Sequence, residues 1–331
     1  MSTLRLGSNA SYCAEVTSDE DILECIKFAK QKNLKVRVIG EGSNIVFKDD
    51  LFSGLLIVNR IKGIALDENG LLTVSAGENW DESVAVSVEE SWSGIEALSL
   101  IPGTVGAAPV QNIGGYGQEL SDTFVGLRAY DLNVDKFIEM SKEDCNFGYR
   151  TSLLKTSPGS YIVTQVTLQL HRNYMKPPFY TTLERYFSEH QISEYTPDNV
   201  RQAVVSWRRS YLPDVKTVKT VGSFFVNPII DRATLDSIID KNPDMSNTKT
   251  DWYWEQPDGR FKVAAGRLAD QAGLKDWHDA KTGMATWKNS AIILVNENAT
   301  SYQDLAKFRD QYLKIIEEKY GITFEQEPVE L

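Results

Sequence analysis

A glycine-rich segment, residues 102–117, is the first part of the chain whose composition could do chemistry. Five of the 22 glycines lie there among small, mostly uncharged neighbours, at Gly103, Gly106, Gly114, Gly115 and Gly117. Glycines this closely spaced let backbone N–H groups approach a ligand, as in sites that hold a pyrophosphate without a cationic side chain. Residues 40–44, Gly-Glu-Gly-Ser-Asn, form a second such turn. On composition alone, two ordinary glycine loops explain both segments equally well.

A basic stretch, residues 208–219, stands out in a chain that is acidic overall. Its four cations are Arg208, Arg209, Lys216 and Lys219. The segment 222–228, Gly-Ser-Phe-Phe-Val-Asn-Pro, follows directly. A solvated basic face is the usual explanation of such a run. Cations beside a hydroxyl and an amide in an apolar strand also suit an anionic, phosphate-bearing substrate.

Three further polar residues are not connected by spacing. Arg150 lies within Phe-Gly-Tyr-Arg-Thr-Ser, and its neighbours in the sequence are typical of an arginine on the protein surface. The neighbours of Glu327 are typical of a solvated carboxylate. Neither is linked by its spacing to Ser223. Residue types alone therefore indicate two glycine turns, an anion clamp and three isolated polar candidates.

The cysteines and histidines argue against several kinds of site. Cys13, Cys25 and Cys145 are far apart without a CxxC spacing, and the chain has 3 histidines. A disulfide framework or a zinc site is therefore not expected, and a Cys-His or Ser-His-Asp arrangement is hard to build. Their apolar or amphipathic neighbours predict that each cysteine is a small buried side chain rather than a reactive thiol.

Composition limits the class of protein. With 331 residues, 42% of them hydrophobic and 24% charged, the chain can bury a sizeable core in two or three domains. A net charge of −11 disfavours binding to a polyanion. No apolar run approaches the ~20 residues of a membrane span, and the start does not resemble a signal peptide. We therefore expect a cytosolic protein.

Periodicity in the first half predicts mixed helices and strands. Ser18 is predicted to cap a helix that ends at Asn33, and residues 35–39 alternate like a strand. The glycines at 40 and 42 do not form the dinucleotide-binding motif GxGxxG, because its third glycine is replaced by Ile45. Asn-Gly within residues 67–70 indicates a hairpin. Since no regular βαβ repeat follows, the pattern favours an α+β fold.

The second half opens with an insert, residues 176–211, in which Thr196 and Pro197 start a helix. The elements expected after it are strands at 222–226 and 291–295, helices near 233–240 and 264–272, and a final helix that Gly321 stops before an extended tail. These elements predict a separate α/β unit.

Five motifs, in one order and spacing, make the chain similar to a known family. They are residues 39–44, residues 102–117 with their Gln-Asn-Ile-Gly-x-Tyr-Gly core, Phe-Gly-Tyr-Arg at 147–150, residues 222–228 and Ala-Ala-Gly at 264–266. Over essentially its whole length the chain resembles the UDP-N-acetylenolpyruvoylglucosamine reductases, also called UDP-N-acetylmuramate dehydrogenases. Its insert resembles that of the longer family form, which carries a mobile tyrosine loop over the substrate.

The resemblance implies an α+β chain with an FAD-binding two-domain fold of the PCMH/VAO-like superfamily and a C-terminal α/β substrate domain. Residues 1–62 with 317–331 would form the first FAD-binding domain. Residues 63–212, including the tyrosine-loop insert 172–212, would form the second, and residues 213–316 the substrate-binding domain.

The resemblance also implies an enzyme of peptidoglycan precursor synthesis, and hence of cell wall biogenesis, cell shape and cell division. NADPH would reduce non-covalently bound FAD, and the enolpyruvyl ether of UDP-N-acetylglucosamine would then accept the hydride, with no metal. Because the two substrates share one site, ping-pong kinetics are expected. The expected protein is a cytoplasmic monomer whose partner is a UDP-sugar, without nucleic acid or membrane partners.

Family positions assign roles to individual residues. Arg150 would supply the cation that stabilises an enolate, Ser223 would protonate the carbanion, and Glu327 would donate a hydrogen bond. The tail has Glu-Gln-Glu-Pro where the family more often has Glu-Pro-Glu-Val, so Glu325 stays an alternative to Glu327. The implied substrate-binding residues are Tyr149, Tyr180, Arg208 and Asn227. The implied FAD-binding residues are Gly40, Gly42, Ser43, Asn44, Gly103, Thr104, Gly106, Gln111, Asn112, Gly114, Tyr116 and Gly117.

Two substitutions depart from the family pattern in the anion clamp. Tyr211 stands where the family usually has a lysine that meets the diphosphate, and Val226 stands where a lysine is frequent. The clamp is therefore expected to be weakened, or rebuilt by Arg209, Lys216 or Lys219. These changes bear on substrate affinity more than on the type of reaction.

Two other functions remain open for this sequence. One is a different FAD-dependent oxidoreductase of the same superfamily, such as an oxidase, which would react rapidly with oxygen and fail to turn over NADPH and the enolpyruvyl nucleotide. The other is a catalytically silent nucleotide-binding protein. The joint presence of Arg150, Ser223 and a tail glutamate argues against the silent protein, because simple binding has no use for a proton donor to a carbanion.

Overall fold

The described residues fall into two units, and each is assembled from separate stretches of chain. The computed structural model describes residues 2–6, 9–48, 51–242, 245 and 252–331. What we call the N-terminal unit comprises the described residues of Asn9–Gly42 and Leu51–Leu212. The C-terminal unit comprises those of Met1–Ser8, Ser43–Asp50 and Pro213–Leu331.

A three-stranded parallel sheet opens the N-terminal unit. Strand Leu51–Asn59 is central, with Asn9–Val16 and Lys35–Ile39 on its two sides. Helix Asp19–Gln31 connects the two outer strands. As predicted, it begins at Ser18, whose hydroxyl accepts a hydrogen bond from the backbone N–H of Asp21, while the Asp21 carboxylate accepts one from Ser18. This reciprocal capping stabilises the first turn of the helix.

A five-stranded antiparallel sheet follows in the same unit. In spatial order its strands are Lys136–Ser141, Phe124–Asp131, Tyr161–Gln169, Leu71–Ser75 and Ile64–Leu66. The predicted hairpin joins the last two of these strands, with Leu66 opposite Leu72 and Gly70 at a φ of 81°. The sheet packs its apolar face against helix Trp80–Glu89, in which Trp80 and Val84 are buried.

Short helical turns and the insert complete the N-terminal unit. The turns are Glu96–Leu98, Val105–Gln111, Leu120–Thr123, Lys142–Cys145 and Leu153–Thr156, and a two-residue hairpin pairs Gly114–Gly115 with Gln118–Glu119. The insert forms helices Thr181–Glu189 and Pro197–Tyr211. As predicted, Thr196 caps the second helix by accepting the N–H of Asn199. The insert has its own small core around Phe187, Val200 and Val204.

The C-terminal unit is built around two antiparallel sheets. The first has the strand order Thr220–Ser223, Ser290–Asn296, Met284–Trp287 and His278–Asp279, and the second has Ile229–Ile230, Phe261–Val263 and Tyr253–Glu255. Its helices in the described residues are Arg232–Lys241, Ala265–Gln271 and Tyr302–Tyr320. Gly321, with a φ of 70°, ends the last helix as predicted.

The predicted strand at 222–226 is shorter in the structure and changes its partner. The strand Thr220–Ser223 pairs with Ser290–Asn296, to which Phe224 still donates its N–H. From the carbonyl of Phe224 to Val226 the chain pairs with the tail instead. Further along the tail, Val329–Glu330 pairs in parallel with Ile45–Val46. The tail therefore lies between the strand that carries Ser223 and the stretch that follows residue 44.

The grouping of the tail differs from the predicted three-domain division. Residues 317–331 fall in the C-terminal unit with residues 213–316 and with the described residues of 1–8 and 43–50, whereas residues 9–42 and 51–62 fall in the N-terminal unit. The reason is packing: Tyr320 and Phe324 are buried in the same core as Phe225. Domain boundaries within residues 1–212 remain a prediction.

One cysteine does not have the predicted burial. Cys145 is fully buried, and burial raises its pKa to about 12, while Cys25 is half-buried. Cys13 is exposed because strand Asn9–Val16 lies at the edge of its sheet and most of its side chains face outwards.

None of the helices in the described part of the chain has the length and apolar character of a membrane-spanning segment.

Candidate active site

Three stretches of backbone approach one another closely around the first glycine turn. The N–H groups of Val105 and Gly106 donate to the carbonyls of Glu78 (2.9 Å) and Ala76 (2.9 Å). A Cβ atom on Gly106 would lie 2.5 Å from the Ala76 Cβ atom, so only glycine fits there. A Cβ atom on Gly40 would likewise collide with the hydroxyl of Thr104. The predicted FAD-binding residues at 40–42 and 103–106 are therefore brought together.

This arrangement fits a diphosphate-bearing cofactor. Gly42 and Gly103 have φ values of 71° and 120°, which L side chains rarely adopt. At these two positions the backbone adopts conformations that favour glycine, as in turns whose peptide groups bind a pyrophosphate. Gly40 and Gly42 belong to the N-terminal unit, whereas Ser43 and Asn44 belong to the C-terminal unit.

The second glycine cluster forms a tight hairpin. Gly114 pairs with Glu119 and Gly115 with Gln118, while Tyr116 and Gly117 make the turn with φ values of 52° and 92°. Two successive positive φ values are typical of a type I′ hairpin turn.

Asn112 connects this hairpin to neighbouring backbone. It directly follows the helical turn Val105–Gln111 and has a left-handed conformation, with a φ of 46°. Its side-chain oxygen accepts the N–H of Ser121 at 2.9 Å, and its side-chain nitrogen donates to the carbonyl of Gly148 at 3.4 Å. The predicted residues Gln111 to Gly117 thus form one ordered element.

Arg150 is fixed against this element, although its sequence spacing gave no sign of it. Its Nη2 donates to the carbonyl of Gly114 at 2.8 Å. Its backbone has a φ of 55°, in a turn that Gly148 and Thr151 close with reciprocal backbone hydrogen bonds. Lys155 donates to the Arg150 carbonyl at 3.0 Å. The guanidinium of Arg150 therefore has a defined position beside the glycine-rich segment.

A network of charged residues connects helix Pro197–Tyr211 to the rest of the N-terminal unit. Arg201 forms a two-pronged ion pair with Asp81, at 2.6 and 3.0 Å, and also donates to the hydroxyl of Ser99. Burial raises the pKa of Asp81, but the hydrogen bonds from Arg201 and from the Leu100 N–H outweigh it, so the net pKa lies below its usual value. Asp81 therefore stays ionised.

Arg208 takes part in the same network. Burial lowers its pKa, and the hydrogen bond to Tyr116 and the charge of Asp81 act in the opposite direction. Burial also raises the pKa of the Tyr116 phenol, an effect that Arg208 partly offsets. A predicted substrate-binding residue and a predicted FAD-binding residue are thus in direct contact.

The two predicted substrate-binding tyrosines lie at the exposed edge of this element. Tyr180 is 51% exposed and packs edge-on against Tyr116, with ring centroids 6.2 Å apart. The ring of Tyr180 also lies near Gly117. A Cβ atom built on Gly117 would be 3.9 Å from that ring. Tyr149 is exposed, and the guanidinium of Arg150 lies 5.6 Å from its ring centroid.

In the C-terminal unit, the residues that directly follow Ser223 pair with the tail. Glu327 donates its N–H to the carbonyl of Phe224 at 2.9 Å, and Val226 donates to the carbonyl of Glu325 at 3.0 Å. Ser223 and Glu327 are both half-buried, whereas Glu325 is exposed. This difference in burial favours Glu327 over Glu325 as the tail carboxylate that meets a substrate.

Asn227 has a structural partner of its own. Its Oδ1 accepts the N–H of Ala265 at 3.0 Å, at the start of helix Ala265–Gln271. This contact explains why Asn227 and the Ala-Ala-Gly motif occur together: the amide oxygen caps the helix that the motif begins. The orientation of Asn227 is therefore set within the C-terminal unit.

Several residues that order the candidate site could not be recognised from the sequence. Asp81 and Arg201 lie 120 positions apart, so no local pattern could pair them. Arg201 does lie seven residues before Arg208, a spacing that puts both on one helix face. The tail contacts of Arg309, described below, also had no signal in the sequence, because they depend on tertiary packing.

Comparison with family models divides the chain into two parts. Residues 10–136 match a model described as an FAD binding domain. Residues 214–331 match the C-terminal domain of UDP-N-acetylenolpyruvoylglucosamine reductase. Together with the glycine turns, these matches define the class of protein: an FAD-dependent oxidoreductase with a specialised C-terminal domain.

The chain belongs to the UDP-N-acetylenolpyruvoylglucosamine reductase family. It is 37% identical to the member from Ralstonia nicotianae, over 99% of this chain and 95% of that protein. It is 35% identical to the member from Pseudomonas fluorescens, over 98% and 95% respectively. The resemblance inferred from the five motifs is therefore confirmed.

A solved structure supports the fold. A crystal structure of UDP-N-acetylenolpyruvylglucosamine reductase from Thermus caldophilus matches 96% of this chain and 90% of its own, with a TM-score of 0.63 and 21% identity. The α+β fold with an FAD-binding part and a C-terminal domain is confirmed.

Proposed function

We propose that this protein reduces the enolpyruvyl ether of UDP-N-acetylglucosamine to UDP-N-acetylmuramate, with NADPH as the hydride donor, in peptidoglycan precursor synthesis. The observation that carries this proposal most directly is the contact of Arg150 with Gly114, which fixes a cation at the predicted cofactor-binding segment. The full-length similarity to the reductase family supports the same reaction. The chemistry that FAD supplies when bound is transfer of a hydride from NADPH to the substrate.

The segments that would hold FAD are the two glycine elements. The turn at 40–44 and residues 103–106 would hold the pyrophosphate through backbone groups. Gly40 and Gly106 allow the neighbouring stretches to pack closely, since a Cβ atom on Gly40 would meet Thr104 and one on Gly106 would meet Ala76. The hairpin at 114–117 would contact the cofactor next to Arg150. No part of this binding requires a covalent link.

Arg150 would stabilise the charge that develops on the substrate. When the methylene carbon receives hydride, it becomes a methyl group and leaves an electron pair on the adjacent carbon. This carbon bears a carboxylate, so the charge spreads onto two oxygens as an enolate. A guanidinium held in place before the reaction stabilises that charge without reorganisation.

Ser223 would complete the reaction by giving its hydroxyl proton to the adjacent carbon. A serine is a weak acid, but a carbanion is basic enough to take its proton, and the resulting alkoxide regains a proton from water. Glu327 would donate a hydrogen bond to the substrate carboxylate when it is protonated. Its backbone bond to Phe224, the neighbour of Ser223, supports a shared role.

The nucleotide part would be bound by residues around Tyr180 and Arg208. Tyr180 would cover the diphosphate, while Tyr149, Arg208 and Asn227 would bind the remainder of the substrate. Tyr211 stands at the usual lysine position and stacks on Trp207 with ring centroids 4.5 Å apart. Its phenol carries no positive charge. The missing charge would come from Arg209, Lys216 or Lys219.

The cellular setting is also part of the proposal. The protein would act as a cytoplasmic monomer of 37.2 kDa on a UDP-sugar, without nucleic acid or membrane partners. Its product would serve cell wall biogenesis, and therefore cell shape and cell division. Elution at about twice this mass in size-exclusion chromatography would contradict the monomer.

Anaerobic titration of the purified protein tests the reaction directly. The protein should be yellow, bleach when NADPH is added, and recover its colour when the enolpyruvyl nucleotide is added. A colourless protein that cannot be reconstituted with FAD would exclude the proposal. Rapid reoxidation by oxygen with no response to the nucleotide would instead indicate an oxidase, and failure to react with either substrate would indicate a silent binding protein.

A further inference from the structure

The tail that carries Glu327 is held by backbone contacts on both sides of that residue. Upstream, Val226 and Glu327 bond the tail to residues 224–226. Downstream, strand Val329–Glu330 pairs with Ile45–Val46. Between these two ladders the chain must change partners, and the orientation of Glu327 depends on how this junction is held.

Arg309 spans the junction with one side chain. It extends from helix Tyr302–Tyr320, and its Nη1 donates to the Gln326 side-chain oxygen at 3.0 Å and to a Glu330 carboxylate oxygen at 3.1 Å. These partners lie one residue before and three residues after Glu327. The Arg309 side chain is only 21% exposed. The guanidinium is therefore a fixed cross-link rather than a surface ion pair.

Both partners of Arg309 are themselves held in place. The Gln326 amide nitrogen donates to the carbonyl of Pro328 at 3.0 Å, which closes a small loop around Glu327. Glu330 also accepts the Tyr302 hydroxyl at 2.8 Å and pairs with Lys48 at 2.5 Å. Burial raises the pKa of Glu330, but the hydrogen bonds from Lys48 and Tyr302 outweigh it, so the net pKa is lowered and the carboxylate stays ionised.

We infer that Arg309 is a positioning residue for this enzyme, which orients the Glu327 carboxylate by clamping the tail on both sides of it. The inference rests on the role proposed above for Glu327. Arg309 need not touch the substrate or the cofactor, because it acts through Gln326 and Glu330. Its loss should therefore affect only the step in which Glu327 takes part.

A double-mutant cycle separates this role from a general structural one. Arg309→Met should slow reoxidation by the enolpyruvyl nucleotide about 10- to 100-fold, because small misplacements of a catalytic group have effects of this size. Flavin reduction by NADPH should change by less than about twofold, since Glu327 is not expected to act in that step. In a Glu327→Ala background, which has no side-chain hydrogen-bond donor at this position, Arg309→Met should add no further loss. Stopped-flow absorbance of the flavin measures both half-reactions.

Three variants serve as controls for the cycle. Arg309→Lys keeps the charge and one contact and should restore part of the reoxidation rate. Gln326→Met removes one arm of the clamp and should show the same selective loss, which also covers the case that Arg309→Met does not fold. Arg232→Met removes an exposed arginine of the same unit, paired with Asp236, and should behave like the parent.

Different failures have different meanings in this experiment. Equal slowing of both half-reactions, or additive losses in the double variant, would overturn the positioning role while leaving the proposed reaction intact. Normal reoxidation in Glu327→Ala would refute the proposed role of Glu327 and the inference with it. Loss of the response to NADPH in the parent protein would refute the proposed function itself.

Discussion

At the scale of single residues, Arg150 illustrates how conformation confers a role. Its neighbours in the sequence alone would predict an arginine on the protein surface. Its left-handed backbone, with a φ of 55°, turns the side chain towards Gly114, where a hydrogen bond of 2.8 Å holds the guanidinium. A non-glycine residue in this region stores strain, and the hydrogen bonds that close the turn between Gly148 and Thr151 support it.

The proposed role of Ser223 as proton donor makes a prediction that distinguishes the two half-reactions. Ser223→Ala removes the hydroxyl proton but leaves the backbone ladder with Ser290–Asn296 in place. Reduction of the flavin by NADPH should stay largely intact, whereas reoxidation by the enolpyruvyl nucleotide should fall about 100-fold or more, the size expected for general acid catalysis. Stopped-flow absorbance of each half-reaction provides the measurement.

Ser237→Ala is the matched control, since it removes a serine hydroxyl from helix Arg232–Lys241 in the same unit. It should leave both half-reactions unchanged. If Ser223→Ala slowed both half-reactions equally, a structural or substrate-binding role would explain the serine better than proton donation.

At the scale of elements, helix Pro197–Tyr211 depends on charges as well as on its apolar face. Val200 and Val204 pack into the core of the insert, while Arg201 and Arg208 point towards Asp81 and Tyr116. The Asp81–Arg201 pair is about four-fifths buried, with side-chain exposures of 22% and 18%. The pair therefore holds the helix, and with it Arg208, at the glycine-rich hairpin.

Asp81→Asn should destabilise this attachment in a pH-dependent way. Because the folded pKa of Asp81 is lowered, its ionisation stabilises the fold above the unfolded pKa of about 3.9 and ceases to do so as the pH falls through the folded pKa. Removing the charge should therefore cost about 2 kcal/mol at pH 7, and less at low pH. Urea unfolding at a series of pH values measures this difference.

The exposed pair of Arg232 and Asp236 provides the comparison for that measurement. Asp236→Asn should change the free energy of unfolding by less than about 1 kcal/mol, because exposed ion pairs contribute little. An Asp81→Asn variant with the same small effect at every pH would show that the Asp81–Arg201 pair does not hold the helix.

At the scale of the whole molecule, the two units share the chain in an interleaved way. The described residues of Ser43–Asp50 leave the N-terminal unit and join the C-terminal one, where Ile45–Val46 pairs with the tail. The first glycine turn is thus the point at which the chain passes from one unit to the other. Residues 40–44 are among those proposed to hold FAD, which the unfolded chain is not expected to bind.

Removal of FAD should consequently lower the stability of the folded protein. A ligand that binds only the folded state at about 100 times its dissociation constant adds about 2.7 kcal/mol. The apoprotein should melt at a lower temperature than the FAD complex and regain the difference as FAD is added. Riboflavin, which lacks the pyrophosphate that the glycine elements would hold, should give little shift. An equal shift with riboflavin would contradict the proposed role of these elements.

The local sequence determined the elements and the chemistry of this protein to a large extent. Helix caps at Ser18 and Thr196, the Asn-Gly hairpin and the glycine stop at Gly321 act over a few residues, so they could be predicted with near-correct bounds. The ordered motifs identified the family, and the comparisons confirmed it together with FAD as the cofactor.

Only the tertiary structure decided which distant residues meet. The contacts of Arg150 with Gly114, of Arg201 with Asp81 and of Arg309 with the tail join parts of the chain that share no local pattern. The pairing of the tail strand Val329–Glu330 with Ile45–Val46 likewise joins stretches that are far apart in the sequence. The periodicity of apolar residues along the sequence indicates which face of a helix or strand is buried, but not which element covers that face. The orientation of a long charged side chain depends on the partner that the fold provides.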